Sequence, residues 1–153
     1  MTMEPVGYNH RLRGYTQFWK YFKPCQEAVA ETILFKEDIV VIAEDVVRSL
    51  RKTFPHNTLV GVHVRMEDHT RRRAVTKGKT VAPSDYYARA MTNFRGRYSA
   101  VTFVVIASKP DWFGAIVTSA SDVVYLDRSD SPAVDMEILA CLDHVIISVG
   151  KFG

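Results

Sequence analysis

The sequence lacks the features of a membrane-spanning or secreted chain. None of its apolar runs approaches the roughly 18 residues that a helix needs to cross a bilayer. The start, Met1-Thr-Met-Glu, has neither the basic residues nor the apolar segment of a signal peptide, and no Asn-x-Ser/Thr acceptor occurs. The 153 residues are 47% apolar and 24% charged, a composition typical of one globular domain. We therefore expect a soluble domain.

Familiar catalytic signatures and metal-binding cysteines are also missing. The chain has no Gly-x-Gly-x-x-Gly, no Gly-x-x-x-x-Gly-Lys-Ser/Thr and no Gly-x-Ser-x-Gly, which argues against ordinary dinucleotide enzymes, P-loop proteins and α/β-hydrolases. Cys25 and Cys141 have no metal spacing, so we expect free, buried thiols rather than a disulfide. The net charge of +3 suits an anionic ligand but is too small to indicate a nucleic-acid partner.

Helix and strand patterns alternate along most of the chain. They predict helices at 24–33, 37–52, 83–98, 109–117 and 131–142, and strands that begin at 58, 100, 122 and 144. Ser131 is a candidate N-cap, because Pro132 follows it at the first helical position. Strands separated by helices of this length predict a parallel sheet with helices on both faces, which is a Rossmann-like α/β fold.

The stretch 58–69 is the strongest candidate for a ligand site. An apolar, β-branched run ends there in ionisable residues, and open α/β sheets bind ligands at the carboxyl ends of their strands. Strand alternation places His63 and Arg65 on one side. Arginine binds phosphate through two parallel hydrogen bonds, so a nucleotide pyrophosphate is a natural partner.

Other interpretations of these residues stay open. Arg65 is equally suited to a structural ion pair with a nearby carboxylate such as Glu67, Asp68 or Asp135. A zinc site at His63, Asp68 and His69 is weakly supported, because no further ligand follows at a suitable spacing. The basic loop at 69–79 is either a solvated surface or a phosphate contact, and the aromatic, basic segment at 11–22 either packs on the domain or stacks on a base or sugar.

Four blocks carry a family resemblance in one order. The block at 62–69 is Val-His-Val-Arg-Met-Glu-Asp-His, and it resembles the His-x-Arg-Arg-x-Asp-Tyr motif of the galactoside 2-α-L-fucosyltransferases, glycosyltransferase family 11. The block at 131–153 is similar to the family's Ser-Pro-Ala-x-Asp, Leu-Leu-x-x-Cys-Asn-His-Thr-Ile and Gly-Thr-Phe-Gly elements. The blocks at 12–22 and 95–105 resemble the family's Leu-x-Gly-Tyr-x-x-Ser-Trp-x-Tyr-Phe and its Arg-Ala-Arg-Tyr-Ser with Phe-Val-Val.

The resemblance implies a hexosyltransferase of the GT-B type, of which this chain is the nucleotide-binding half. Residues 1–22 would be an aromatic, basic segment and 23–153 a Rossmann-like GDP-fucose-binding domain, truncated at both ends relative to the family. The implied reaction is inverting transfer of L-fucose from GDP-fucose to the 2-hydroxyl of a terminal galactose on a glycan. Neither a metal nor a cofactor is implied. Family members of animals are Golgi membrane proteins, so membrane attachment is expected only through a segment outside this chain.

The resemblance also assigns roles to individual residues. The catalytic pair would be Arg65 at the β-phosphate and Asp68, which would orient the motif. The other donor-binding residues would be His63 on the nucleoside side, Asp135 as acceptor for guanine, Ser148 and Gly150 beneath the pyrophosphate, and Lys151 as an added positive charge.

Four positions depart from the family's blocks. Met66 replaces the motif's second arginine, Glu67 its glycine and His69 its tyrosine, while Lys151 stands in place of a threonine. Losing an arginine beside a pyrophosphate removes a charge-assisted contact. An alternative is therefore an inactive or fragmentary member that acts only as a binding or interaction domain.

Overall fold

A computed structural model describes residue 20 and residues 23–64, 82–107, 120–127 and 131–147. The chain divides into two compact units, Met1–Leu34 and Phe35–Gly153. In the first unit a 3-10 turn at Lys23–Cys25 leads into helix α1 at Gln26–Thr32, which confirms the helix predicted there. The predicted helix at 109–117 and the basic loop at 69–79 lie outside the described residues, as does nearly all of the aromatic segment at 11–22.

The second unit contains a four-stranded parallel sheet with the strand order β3-β2-β1-β4. This arrangement confirms the predicted Rossmann-like α/β fold. Its elements are α2 (Glu37–Thr53), β1 (Thr58–Val64), α3 (Ser84–Arg95), β2 (Val101–Ala107), β3 (Val123–Leu126), α4 (Pro132–Ala140) and β4 (His144–Ile146).

Helices cover both faces of the sheet. On one face, α3 presents Tyr87 and Met91 to a core that includes Phe103 and the even-numbered valines of β1. On the other face, α2 and α4 pack on Leu59 of β1 and on Val104 and Ile106 of β2. β2 is buried at all seven positions, as expected for a central strand covered on both sides.

Two details of the sequence-based prediction are wrong. The apolar residues at 3- and 4-residue spacings that predict α2 include Ile42, which would therefore face the core. Ile42 is instead 52% exposed, because it lies roughly 80° around the helix from Leu50, at the rim of the buried face. The cysteines are free, but Cys25 is exposed and Cys141 is half-buried. Cys25 belongs to a 3-10 turn without buried residues, and Cys141 lies at the end of α4, where the helix leaves the core.

A polar network joins the elements at the amino edge of the sheet, where the strands begin. Asp143 accepts a hydrogen bond from the Leu59 amide at 2.8 Å and one from Arg51 at 2.7 Å. Arg51 also donates to the Asn57 carbonyl at 3.4 Å, and the Asn57 side chain donates to the Thr102 hydroxyl at 2.8 Å. The hydrogen bond from Arg51 is the main reason that the pKa of Asp143 is lowered.

The close contact between β1 and α4 depends on Gly61. A Cβ at this position would lie 2.6 Å from Leu139 Cδ2 and 3.1 Å from Leu142 Cδ1. Both leucines are buried in the core, so little space is open for them to move. We expect Gly61→Ala to lower the free energy of unfolding by about 1–3 kcal/mol through overpacking, measured by urea denaturation.

Gly96→Ala is the matched control. At Gly96 a Cβ would lie 3.6 Å from the nearest atom, the Thr92 carbonyl oxygen, and φ is −79°. Alanine fits this conformation, so the variant should be neutral or slightly stabilised. Equal stability losses in the two variants would contradict the proposed close contact at Gly61.

The Asp143 network should make folding pH-dependent. Because the pKa of Asp143 is lowered in the folded chain, its contribution is complete above about pH 4 and is lost as the pH falls through the folded value. We expect Asp143→Asn to cost about 1 kcal/mol at pH 7, a modest value because both side chains of the Arg51 pair are 38% exposed. The difference from the parent chain should shrink towards pH 2 in urea unfolding experiments.

Asp45→Asn is the control for loss of a carboxylate. Asp45 is 63% exposed and pairs with Arg48 within the same helix, so its removal should change stability by a few tenths of a kcal/mol at most, roughly. Equal losses of stability in Asp45→Asn and Asp143→Asn would show that the Asp143 network does not stabilise the fold more than an exposed ion pair does.

Candidate nucleotide-binding site at the carboxyl edge of the sheet

The strand order places a topological switch point between β1 and β4. From β1 the chain proceeds outward to β2 and β3, and it then returns to add β4 on the opposite side of β1. In open α/β sheets, ligands bind in the crevice outside the carboxyl ends of the strands at such a point. The candidate site therefore lies where β1 and β4 end.

Two of the predicted site residues converge there. His63 and Gly61 point to the same face of β1, and Gly61 lies beneath Leu139 of α4. Asp135 lies one helical turn before Leu139 in α4, which brings it about 6 Å nearer the carboxyl edge. His63 lies two residues after Gly61 in β1, which brings it about 6.6 Å towards the same edge. From these ideal rises we expect His63 and Asp135 on the same face of the sheet and at a similar height.

Burial differs between these two residues. Asp135 is only 8% exposed, although it is an acid in the first turn of α4, and His63 is half-buried. A carboxylate at this helical position is favoured by the helix dipole. Together they place an acceptor and an imidazole at the mouth of the switch point.

The beginning of α4 differs in one respect from its prediction. Ser131 occupies the N-cap position with extended backbone angles, φ −113° and ψ 108°, and Pro132 follows as expected. The Ser131 side chain makes no capping hydrogen bond; instead, its backbone carbonyl accepts from the amides of Val134 at 3.0 Å and Asp135 at 3.3 Å. The helix therefore begins where predicted, with a backbone contact in place of the side-chain cap.

The other predicted site residues fall beyond the described ends of β1 and β4. Arg65 is the residue after Val64, at which the description of β1 stops, and Ser148 is the residue after Ile147. Their assigned roles stay predictions. The full set outside the described residues is Arg65, Asp68, Ser148, Gly150 and Lys151, together with the departures Met66, Glu67 and His69.

Tyr86 is a residue at this edge whose role the sequence analysis missed. Tyr86 is one of the apolar and aromatic positions of the helix predicted at 83–98, and its ring packs against the core there. Its hydroxyl, however, donates a hydrogen bond of 3.0 Å to the carbonyl of Ile147, directly after β4. A tyrosine on an otherwise apolar helix face was the available signal, since the phenol needs a partner.

Cys141 is not placed as a nucleophile. Burial, with help from Glu137, raises the pKa of its thiol, and its sulfur lies 3.6 Å from a Glu137 carboxylate oxygen. His144, the nearest histidine in the sequence, instead shares a 2.5 Å hydrogen bond with the Tyr98 hydroxyl.

The described part of the chain contains no group of three or more histidine, cysteine or acidic residues arranged to hold a metal ion. Within the same residues, every helix is too short or too polar to span a membrane.

Comparison with known proteins places the chain among glycosyltransferases. Residues 6–153 match the family described as Glycosyl transferase family 11. The chain is 31% identical over 147 residues to Galactoside alpha-(1,2)-fucosyltransferase 2 of Mus musculus, covering 94% of this chain and 42% of the relative. No solved structure matches the chain.

Two further relatives give the same result. Galactoside 2-alpha-L-fucosyltransferase Sec1 of Mus musculus is 29% identical over 151 residues, which cover 96% of this chain and 41% of the relative. Galactoside alpha-(1,2)-fucosyltransferase 1 of Sus scrofa is 31% identical over 149 residues, which cover 94% of this chain and 41% of the relative. The chain spans less than half the length of the curated relatives that it matches.

The shared height of His63 and Asp135 can be tested by NMR. Asp135→Asn removes a charge beside the imidazole, so we expect the ring-proton resonances of His63 to shift. Asp122→Asn is the control, because Asp122 pairs with Arg95 at the amino edge, far along the strand direction. Resonances of His63 that respond to Asp122→Asn but not to Asp135→Asn would contradict the arrangement.

Proposed function

The chain belongs to glycosyl transferase family 11, and from that premise we propose that it binds GDP-fucose for transfer of L-fucose to the 2-hydroxyl of a terminal galactose. The names of its relatives support a fucosyltransferase. The observation that carries the proposal is the switch point between β1 and β4, next to which α4 packs on Gly61 and towards which His63 and Asp135 are expected to face.

The donor nucleotide suits the chemistry of this edge. Guanine presents neighbouring N–H donors, and the carboxylate of the buried Asp135 would accept hydrogen bonds from them. His63 lies at the same height and would contact the nucleoside side. Arg65, which follows the last described residue of β1, would bind the β-phosphate and keep its charge at every physiological pH.

The proposed reaction is a single displacement. The galactose 2-hydroxyl oxygen forms a bond to C1 of fucose and its proton passes to solvent, while the bond from C1 to the β-phosphate oxygen breaks and its electron pair leaves with GDP. Attack from the face opposite GDP inverts the anomeric centre. Arg65 would stabilise the charge on departing GDP, with Asp68 orienting the motif.

The remaining proposed contacts surround the pyrophosphate. Ser148 and Gly150 follow β4 in the sequence and would lie beneath it, and Lys151 would add positive charge. Arginine, lysine and the amino end of α4 would then supply the charge stabilisation without a metal or cofactor. We propose the Golgi membrane as the site of action.

A second candidate function is donor binding without transfer. Met66 and Glu67 favour it, because an arginine is replaced by a neutral side chain and an acid is added beside a dianionic group. Transfer of labelled fucose to a terminal galactoside distinguishes the two functions: product formation excludes the binding-only role.

The proposal is tested by titrating GDP-fucose into the folded chain in a calorimeter. We expect binding that Arg65→Ala weakens about 10- to 150-fold, as for loss of a charge-assisted hydrogen bond. Arg48→Ala is the matched control; Arg48 is exposed on α2 and pairs with acids of the same helix, so its loss should leave the Kd unchanged.

Three outcomes would contradict the donor assignment. They are no heat of binding at millimolar GDP-fucose, tighter binding of another nucleotide than of GDP, or equal effects of Arg65→Ala and Arg48→Ala. Circular dichroism of each variant establishes that the chain is folded before titration.

A further inference from the structure

The carboxyl end of β4 is held weakly by the sheet itself. β4 is three residues long and pairs only with β1 within the described sheet, through Val60–His144, Gly61–Val145 and Val62–Ile146. The ladder stops at Ile146, while β1 continues to Val64. Ile147 therefore needs a contact outside the ladder to be held in place.

The Tyr86 hydroxyl provides that contact, at 3.0 Å from the Ile147 carbonyl oxygen. The phenol is itself well positioned, because its ring packs edge-on against the buried Tyr87, with centroids 5.2 Å apart and an interplanar angle of 73°. Both tyrosines belong to α3, which packs on the core. The end of β4 is thus tied to a helix rather than to a neighbouring strand.

We propose that Tyr86 is a positioning residue for the donor pyrophosphate, acting through the chain segment that leaves β4. This inference rests on the proposed function. A peptide unit is planar, so a fixed Ile147 carbonyl restricts the orientation of the amide that follows it. Backbone groups that bind phosphate gain affinity when they are oriented before the ligand arrives.

A second tyrosine offers a matched control at the other end of the same strand. The Tyr98 hydroxyl shares a 2.5 Å hydrogen bond with His144 Nε2, and its ring stacks on Phe94 at 6.1 Å. Tyr98 thus joins the region after α3 to the start of β4, at the amino edge. Tyr86→Phe and Tyr98→Phe each remove one hydroxyl, at opposite edges.

Hydrogen–deuterium exchange of the ligand-free chain tests the positioning without using GDP-fucose. In Tyr86→Phe we expect faster exchange in a peptide covering 147–150, and no change there in Tyr98→Phe. Unchanged exchange over 147–150 in Tyr86→Phe would overturn the inference while leaving the proposed function standing.

Donor binding then tests the consequence. We expect Tyr86→Phe to raise the Kd for GDP-fucose about 3- to 10-fold, the effect of one lost hydrogen bond, and Tyr98→Phe to leave it within about twofold. Equal Kd values for Tyr86→Phe and the parent chain, or equal losses in both variants, would overturn the inference. A parent chain that binds no GDP-fucose would instead refute the proposed function, and with it the link from Tyr86 to the donor.

Discussion

The close approach of β1 and α4 at Gly61 sets the geometry on which the candidate site depends. Leu139 lies over the glycine, so close that a Cβ added at Gly61 would be 2.6 Å from Leu139 Cδ2. This contact fixes the height of the helix along the strand. One turn further towards the carboxyl edge, the same relation brings Asp135 level with His63. A packing contact between apolar groups therefore decides where two polar groups meet.

Much of the fold was predictable because it follows from local periodicity. The stripe on α2 and the apolar run of β1 identify their elements directly, and their ends were predicted to within a few residues. Long-range polar contacts were not predictable in this way. Asp143 and Arg51 are 92 residues apart, and Tyr86 bonds a carbonyl 61 residues away, so no spacing along the chain indicates either contact.

The candidate site was predictable only in part, for a related reason. The motif identified His63 and Asp135 separately, but the expectation that they lie at a similar height required the strand order and the absence of a Cβ at Gly61. Arg65 and Ser148 lie beyond the described strand ends, so their roles rest on the family resemblance. Ile42 shows that periodicity predicts burial only approximately. The spacing of apolar residues identifies the face of a helix that packs on the core, but it does not give the width of the buried part of that face.

The two edges of the sheet are occupied by different kinds of contact. Two ion pairs that join separate elements, Arg51–Asp143 and Arg95–Asp122, lie at the amino edge, where the strands begin. The candidate site lies at the opposite edge. Selection can consequently act on the two ends independently, because a substitution at the carboxyl end of β1, such as at His63, does not touch the pairs that hold the layers together. Proteins with this architecture can change their ligand-binding residues one at a time and still fold, so each successive sequence remains stable.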